Sequence, residues 1–204
     1  MTPPRKAVYL VSRNIHKYLE ARQIFLAHGL SLIQLRVKAL EIQSDSLEEV
    51  AKFRAVHAAE NWGVPVISED AGLFVDALNG FPGPYSSYAY KTIGCEGLLK
   101  LLEGVENRSA RFRSAVAYCP GPNEEPLCFV GETLGKISKE TRGSHGFGFD
   151  PIFIPAEGDG RTFAEMTRGE KNRYSHRAKA MRKFVKWWLG AVRSEDGAYW
   201  WMEK

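Results

Sequence analysis

Apolar residues fall along this chain in two kinds of pattern. Residues 7–11 are a short apolar run, which predicts a buried strand, and residues 64–68 are read as a second buried strand. Residues 32–38 alternate as a strand does, and 111–118 and 127–138 predict two more strands, joined by a loop containing Pro120-Gly121-Pro122-Asn123. A short strand is predicted at 152–154. Helical spacing appears over 15–28, with Tyr18, Ala21 and Phe25 on one face and Gly29 as the stop. Ser46 and Glu49 have capping-box spacing; the helix they open carries Val50, Phe53 and Val56 inward and stops at Gly63. A short helix is predicted over 94–102. Thr167 and Glu170 repeat the capping-box spacing. The helix after them buries Tyr174, Ala178, Met181, Val185, Trp188 and Val192, in alternating steps of four and three. Strand–helix–strand at the start and an antiparallel pair in the middle predict an α/β fold built on a mixed sheet. Ligands in such folds gather at the ends of buried strands.

Composition narrows this little. The 204 residues are 44% apolar and 25% charged, which excludes disorder as the dominant state. Net charge matters more for where it sits. Lys and Arg exceed Asp and Glu by four, yet residues 171–186 hold seven basic residues and no acidic one, leaving the rest of the chain at −3. A basic excess confined to one segment argues against a nucleic-acid partner. Three cysteines, Cys95, Cys119 and Cys128, with no CxxC pair, argue against a disulfide framework or zinc site and predict a reducing, cytoplasmic setting. No apolar stretch approaches the roughly 18 residues of a membrane span, and the apolar run near the N-terminus is too short for a signal peptide.

Four segments hold candidate chemistry. Ser12-Arg13-Asn14-Ile15-His16-Lys17 lies between a strand and a helix, where free N–H groups and the helix dipole favour phosphate and Lys17 adds a charge. The plainer alternative is Asn14 as a helix cap and Lys17 as solvated surface. Glu69 and Asp70 are adjacent, so an extended chain points them to opposite sides, and one of them meets Glu41 in a pair of hard oxygen ligands suited to Mg²⁺. The alternative is Asp70 as a turn cap before Ala71-Gly72. In Gly146-Phe147-Gly148-Phe149-Asp150-Pro151, aromatics spaced by glycine offer a face for a flat ring, and Asp150 an acceptor; the alternative is a turn with core phenylalanines. Within the basic segment, Lys171 and Arg177 are the candidates for phosphate or a base carbonyl. Lys179, Lys183 and Lys186 read as solvated.

Taken in order, SRNIHK (12–17), EIQSDSLEEVAKFRA (41–55), SEDAGLFVDALNGFPGPYSSY (68–88), GFGFDPIFIP (146–155) and TFAEMTRGEKNRYSHRAKA (162–180) resemble the inosine triphosphate pyrophosphatases, the Ham1-like family. The resemblance runs from about residue 7 to 189 and implies a single domain. Its fold would be an elongated mixed sheet with flanking helices, in two lobes around a nucleotide cleft. It also implies a homodimer and Mg²⁺-dependent hydrolysis of ITP, dITP and XTP to the monophosphate and pyrophosphate. On that basis Ser12, Arg13, Asn14, Ile15, His16 and Lys17 fall on the triphosphate, and Glu41 and Asp70 on the metal, with Asp70 also the general base. Phe147, Gly148, Phe149 and Asp150 fall on the base pocket, Lys171 on substrate, and His176 and Arg177 on the pair that reads the base and closes the site.

Two departures stand out. Ser12-Arg13 replaces the usual Thr-Gly. Ala71 replaces a Ser or Thr, which leaves only a main-chain N–H for substrate there. One lost neutral hydrogen bond costs about 0.5–1.5 kcal/mol, so weaker binding with retained activity is expected. The tail 193–204, with Tyr199, Trp200 and Trp201, has no counterpart in the family pattern.

Overall fold

The computed structural model describes residues 7–194. The Tyr199-Trp200-Trp201 tail and the side chain of Val192 lie outside the described residues.

The chain begins with β1 (Ala7–Val11), α1 (Ile15–Ala27), β2 (Ser31–Leu35), α2 (Leu47–Trp62) and β3 (Val66–Val75). It continues through β4 (Pro82–Gly83), α3 (Ser86–Thr92), α4 (Gly94–Leu101), β5 (Ser109–Cys119) and β6 (Leu127–Ile137). It ends with β7 (Phe153–Pro155), α5 (Arg168–Tyr174) and α6 (His176–Ser194). The strands form one mixed sheet in the order β2-β1-β3-β5-β6-β7, and β4 pairs with β3 beside this path. β1 runs parallel to both β2 and β3, and all other pairings are antiparallel. The α/β expectation therefore holds.

Helices cover both faces, because β1 and the start of β3, Val66 and Ile67, are apolar on each side. On one face α1 and α6 pack Ala21, Phe25, Ala178, Met181, Phe184 and Val185 against Leu10, Ile67 and Val116. On the other, α2 lays Ala51, Ala55, Ala58 and Ala59 against Val66, Ala115 and Ala117. Alanine lets this helix approach closely, and that displaces the expected stripe. Phe53 turns outward, 38% exposed, while Arg54 takes an inward position. A third cluster, around Leu73, Leu98, Phe112, Phe153 and Phe163, fills the far end of the sheet.

Three local expectations are corrected. Ser46 does cap α2 by accepting from the Glu49 N–H, but the Glu49 carboxylate takes the Ser44 hydroxyl instead of closing the box. β3 continues to Val75 because β5 pairs along its whole length, so Glu69-Asp70-Ala71-Gly72 lies inside the strand and not at its end. The basic segment forms two helices. α5 has a complete capping box from Thr167 and Glu170, and Ser175 is extended (φ −66°, ψ 143°) and accepts from the Ala178 N–H to restart the chain as α6. Tyr174 consequently belongs to the third cluster and not to the apolar stripe of α6.

The start of α6 is seated on β6 at Gly131. A Cβ there would lie 2.2 Å from the His176 carbonyl oxygen and 2.4 Å from the Ala180 nitrogen. Gly131→Ala is therefore expected to destabilise the fold by about 1–3 kcal/mol. Urea denaturation measures this, and a change within error would show that the helix is not held that closely.

Candidate active site

β1 accompanies β3 only as far as Ser68, and β4 joins it only from Leu73. Between these points β3 has β5 on one side and a cleft of about 1200 Å³ on the other. The cleft is lined by Ser12, Arg13, Asn14, His16 and Lys17, by Glu41, Arg54, Asp70 and Ala71, and by Phe147, Asp150, Lys171, His176 and Arg177. Of the candidate residues named from sequence, Ile15 and Glu69 fall outside this lining; Ile15 starts α1 and is 43% exposed, and Glu69 is 3% exposed.

The pleat of β3 sends its two adjacent carboxylates to opposite faces. Glu69 points into the α6 side and is buried. Its carboxylate accepts from Ser114 Oγ at 2.6 Å and from Arg177 Nε at 3.0 Å, and lies 2.9 Å from Lys17 Nζ. Burial alone would raise its pKa, but Arg177, Lys17 and Ser114 outweigh burial and hold the carboxyl well below the usual range. Asp70 points to the α2 side. There burial wins, aided by the negative charges of Glu69 and Glu41, and lifts its pKa above the ordinary value against the pull of Lys17 and Arg54. Of this adjacent pair, Asp70 is thus the carboxylate that faces the cleft.

Lys17 is not solvated surface. Its ammonium also donates to the Glu69 carbonyl at 3.3 Å, which ties α1 to β3. Asn14 is the α1 cap, accepting from the His16 and Lys17 N–H groups at 2.9 and 3.2 Å, so those two donors are already used within the turn. Arg13 is exposed at the mouth.

The opposite wall is a buried chain of charges. Lys171 Nζ donates to Glu20 Oε1 at 2.7 Å and to Asp150 Oδ2 at 2.6 Å. Arg177 donates to the other Glu20 oxygen at 2.5 Å and, through Nε, to Glu69. Lys171 and Arg177 therefore line the cleft as partners of protein carboxylates and not as open cations. Both lie beneath Phe147, at 4.9 Å and 5.3 Å from its ring centroid. Glu20 has two cations, which overcome its burial and lower its pKa. Asp150 shares one of them, and burial together with Glu20's charge raises its pKa.

Asp150 also accepts the Phe147 N–H at 2.9 Å, closing the glycine turn. Gly146 sits at φ +74°, and a Cβ there would strike Asp150 Oδ2 at 2.1 Å. The two aromatics of this turn divide. Phe149 is 3% exposed, packs with the third cluster and meets Tyr90 edge-on. Phe147 is half-buried and carries the His16 imidazole stacked on it at 5.3 Å.

His176 lies flat on Phe112, with centroids 4.6 Å apart and planes 10° off parallel, and its Nδ1 is buried without a partner. Burial, then Arg177 and Lys171, push its pKa well below the ordinary value, so it stays neutral in the folded chain. The unfolded chain takes up a proton below about pH 6.5 and the folded chain does not, so stability falls with pH there by about 1.4 kcal/mol per unit. His176→Phe keeps the stack and removes the titration. Its stability relative to the parent is expected to improve steadily from pH 7.5 to 5.5; a constant difference would show that His176 protonates in the fold.

Sequence reasoning missed Glu20, Arg54 and Ser114. Glu20 had a visible signal, a carboxylate beside Ala21 and four before Ile24 on the inward face of α1. Ser114 had none, because its role comes from its place on β5 close to Glu69.

Among the described residues, no group of three or more His, Cys, Asp or Glu forms a ready metal cage, and no helix is long and apolar enough to cross a membrane.

The model of the Ham1 family matches residues 8–187. A dITP/XTP pyrophosphatase of Methanopyrus kandleri is 53% identical over 185 residues, covering 91% of this chain and 97% of that protein. One of Thermococcus kodakarensis is 54% identical over 177 residues, covering 87% and 94%. The Ham1 protein structure from Staphylococcus aureus superposes with a TM-score of 0.78 at 31% identity, over 91% of this chain and all of that one.

Proposed function

Because the chain belongs to the Ham1 family, we propose that it hydrolyses non-canonical purine nucleoside triphosphates, dITP, ITP and XTP, to the monophosphate and pyrophosphate. The observation that carries this reading is the two-ended cleft. One end gathers Glu41, Asp70 and Lys17; the other holds the half-buried face of Phe147 over Lys171 and Arg177. The first suits phosphates and hydrolysis, the second a flat base. The dITP/XTP pyrophosphatases it resembles at about half identity support the substrate class.

Two cleft carboxylates without a full cage fit Mg²⁺, which takes one or two protein carboxylates and completes its shell with water and phosphate. Glu41 and Asp70 would hold it, and when bound it supplies charge neutralisation for the phosphate oxygens. Asp70 accepts the proton of a water whose oxygen bonds to the α-phosphorus as the bond to the bridging oxygen breaks. Lys17 offsets charge on the departing pyrophosphate. A base that takes the Phe147 face displaces His16 from it. Selecting a 6-oxo over a 6-amino group requires donors there beyond those that Lys171 and Arg177 already give to Glu20, Asp150 and Glu69.

The test is a panel of dITP, XTP, dATP and dCTP with Mg²⁺, read as pyrophosphate against orthophosphate. Pyrophosphate from dITP and XTP, abolished by a chelator, is expected. Orthophosphate, or no release from either, would overturn the proposal.

A further inference from the structure

We infer that Arg54 is a positioning residue for the Glu41–Asp70 pair: its guanidinium ties the irregular segment carrying Glu41 to β3, so both carboxylates stand ready for one divalent cation before a nucleotide arrives. This rests on the reading that Glu41 and Asp70 hold the metal.

Arg54 is a charged residue in the otherwise apolar, sheet-facing row of α2, flanked by Ala51, Ala55 and Ala58, and only 9% of it is exposed. Burying a guanidinium is costly unless its donors are paired. Here the pairing is specific. Nη1 donates to the Glu69 carbonyl at 3.2 Å; Nη2 donates to Glu41 Oε1 and lies 4.0 Å from Asp70 Oδ1. Nε has no partner. The planar fork therefore spans strand and loop at once through two separate nitrogens held in a fixed geometry, where an ammonium would have to reach both from a single nitrogen.

Glu41 needs such a tether. Residues 36–45 form neither helix nor strand, and the Glu41 side chain is 65% exposed. A loop carboxylate free to turn loses that freedom when it binds a cation, and an existing anchor removes most of the loss. Arg54 engages Oε1 and leaves Oε2 open. A fixed positive charge beside a cation site also repels the cation. Positioning and repulsion predict opposite signs when Arg54 is removed, so the sign decides between them.

The experiment titrates Mn²⁺ into the full chain, with and without inorganic pyrophosphate, and reads free Mn²⁺ by electron paramagnetic resonance. Limited trypsin cleavage at Arg36 and Lys38 reports on the loop, and thermal melting confirms the fold. Arg54→Gln is expected to bind Mn²⁺ about tenfold or more weakly, within the usual range for loss of an outer-shell partner, and to be cut faster at Lys38. Arg54→Lys keeps the buried charge without the fork and is expected to be several-fold weaker than the parent. It remains informative if the Gln variant does not fold. Unchanged or tighter binding by either folded variant would overturn the inference. No Mn²⁺ binding by the unsubstituted chain, under either condition, would remove the two-carboxylate site itself and the inference with it.

Discussion

Asp70→Asn is expected to lower kcat for dITP by about 10²–10⁴, the usual contribution of a general base, while the melting temperature holds. Asn keeps the side-chain size, and the main-chain pairing of Asp70 with Ala115 on β5 does not depend on the carboxylate. The chemistry does depend on it. Of the adjacent pair on β3, Asp70 is the carboxylate whose pKa burial raises, against Lys17 and Arg54, and the one that faces the cleft. A base works deprotonated, so activity should climb as pH rises through the Asp70 pKa, and that limb should vanish in the variant. Adjacent Glu69 cannot substitute, because it faces the other side of the sheet with its carboxylate held between Lys17 and Arg177. Pyrophosphate release near the parental rate would remove Asp70 from the mechanism.

Glu20→Ala is expected to be among the most destabilising single changes, by about 3–5 kcal/mol. The buried wall matches three cations, Lys17, Lys171 and Arg177, with three carboxylates, Glu20, Glu69 and Asp150. Glu20 touches two of those cations. Deleting it leaves each with one carboxylate, Asp150 for Lys171 and Glu69 for Arg177, in a site where 2% of either residue reaches solvent. Denaturant unfolding measures the loss, and a cost under 1 kcal/mol would mean that the cations find water. The same linkage sets a pH dependence. The Glu20 pKa is lowered because Lys171 and Arg177 overcome burial, so its stabilisation is present above the unfolded carboxyl's pKa and fades as pH falls through the folded value. Acid unfolding of the parent should show this loss and that of Glu20→Ala should not.

Much of the architecture was readable because periodicity reports burial directly. The apolar run of β1 and the helical spacing that ends at Gly29 needed no tertiary knowledge. The misses share one cause, packing that overrides local pattern. Phe53 looked like the inward residue of α2, yet close approach to the sheet selects the alanines. A continuous amphipathic pattern hid the break at Ser175, which is set by where α5 and α6 dock and not by any Gly or Pro. The candidate residues were largely legible as types and positions, since Lys17, Asp70 and Phe147 all reach the cleft. Their partners were not. Lys171 and Arg177 read as free cations because Glu20 lies more than 150 residues away in sequence, and contact at that separation leaves no local trace.

The interval of β3 between β1 and β4 carries one more consequence. Main-chain groups of alternate residues point the same way, and on this side the Glu69 carbonyl accepts from Lys17 and Arg54 while the Leu73 N–H donates to Ser86. Ala71, midway between them, turns its own N–H and carbonyl into the cleft. Elsewhere an open strand edge invites another chain to pair with it. This one is only about four residues long and walled at both ends by the molecule's own strands, so it admits a small molecule and excludes a β-strand. Hydrogen-bonding groups of that kind belong to the backbone. No side-chain exchange at position 71 deletes them, short of proline, so the chemistry lining the cleft outlasts drift in the residues that display it.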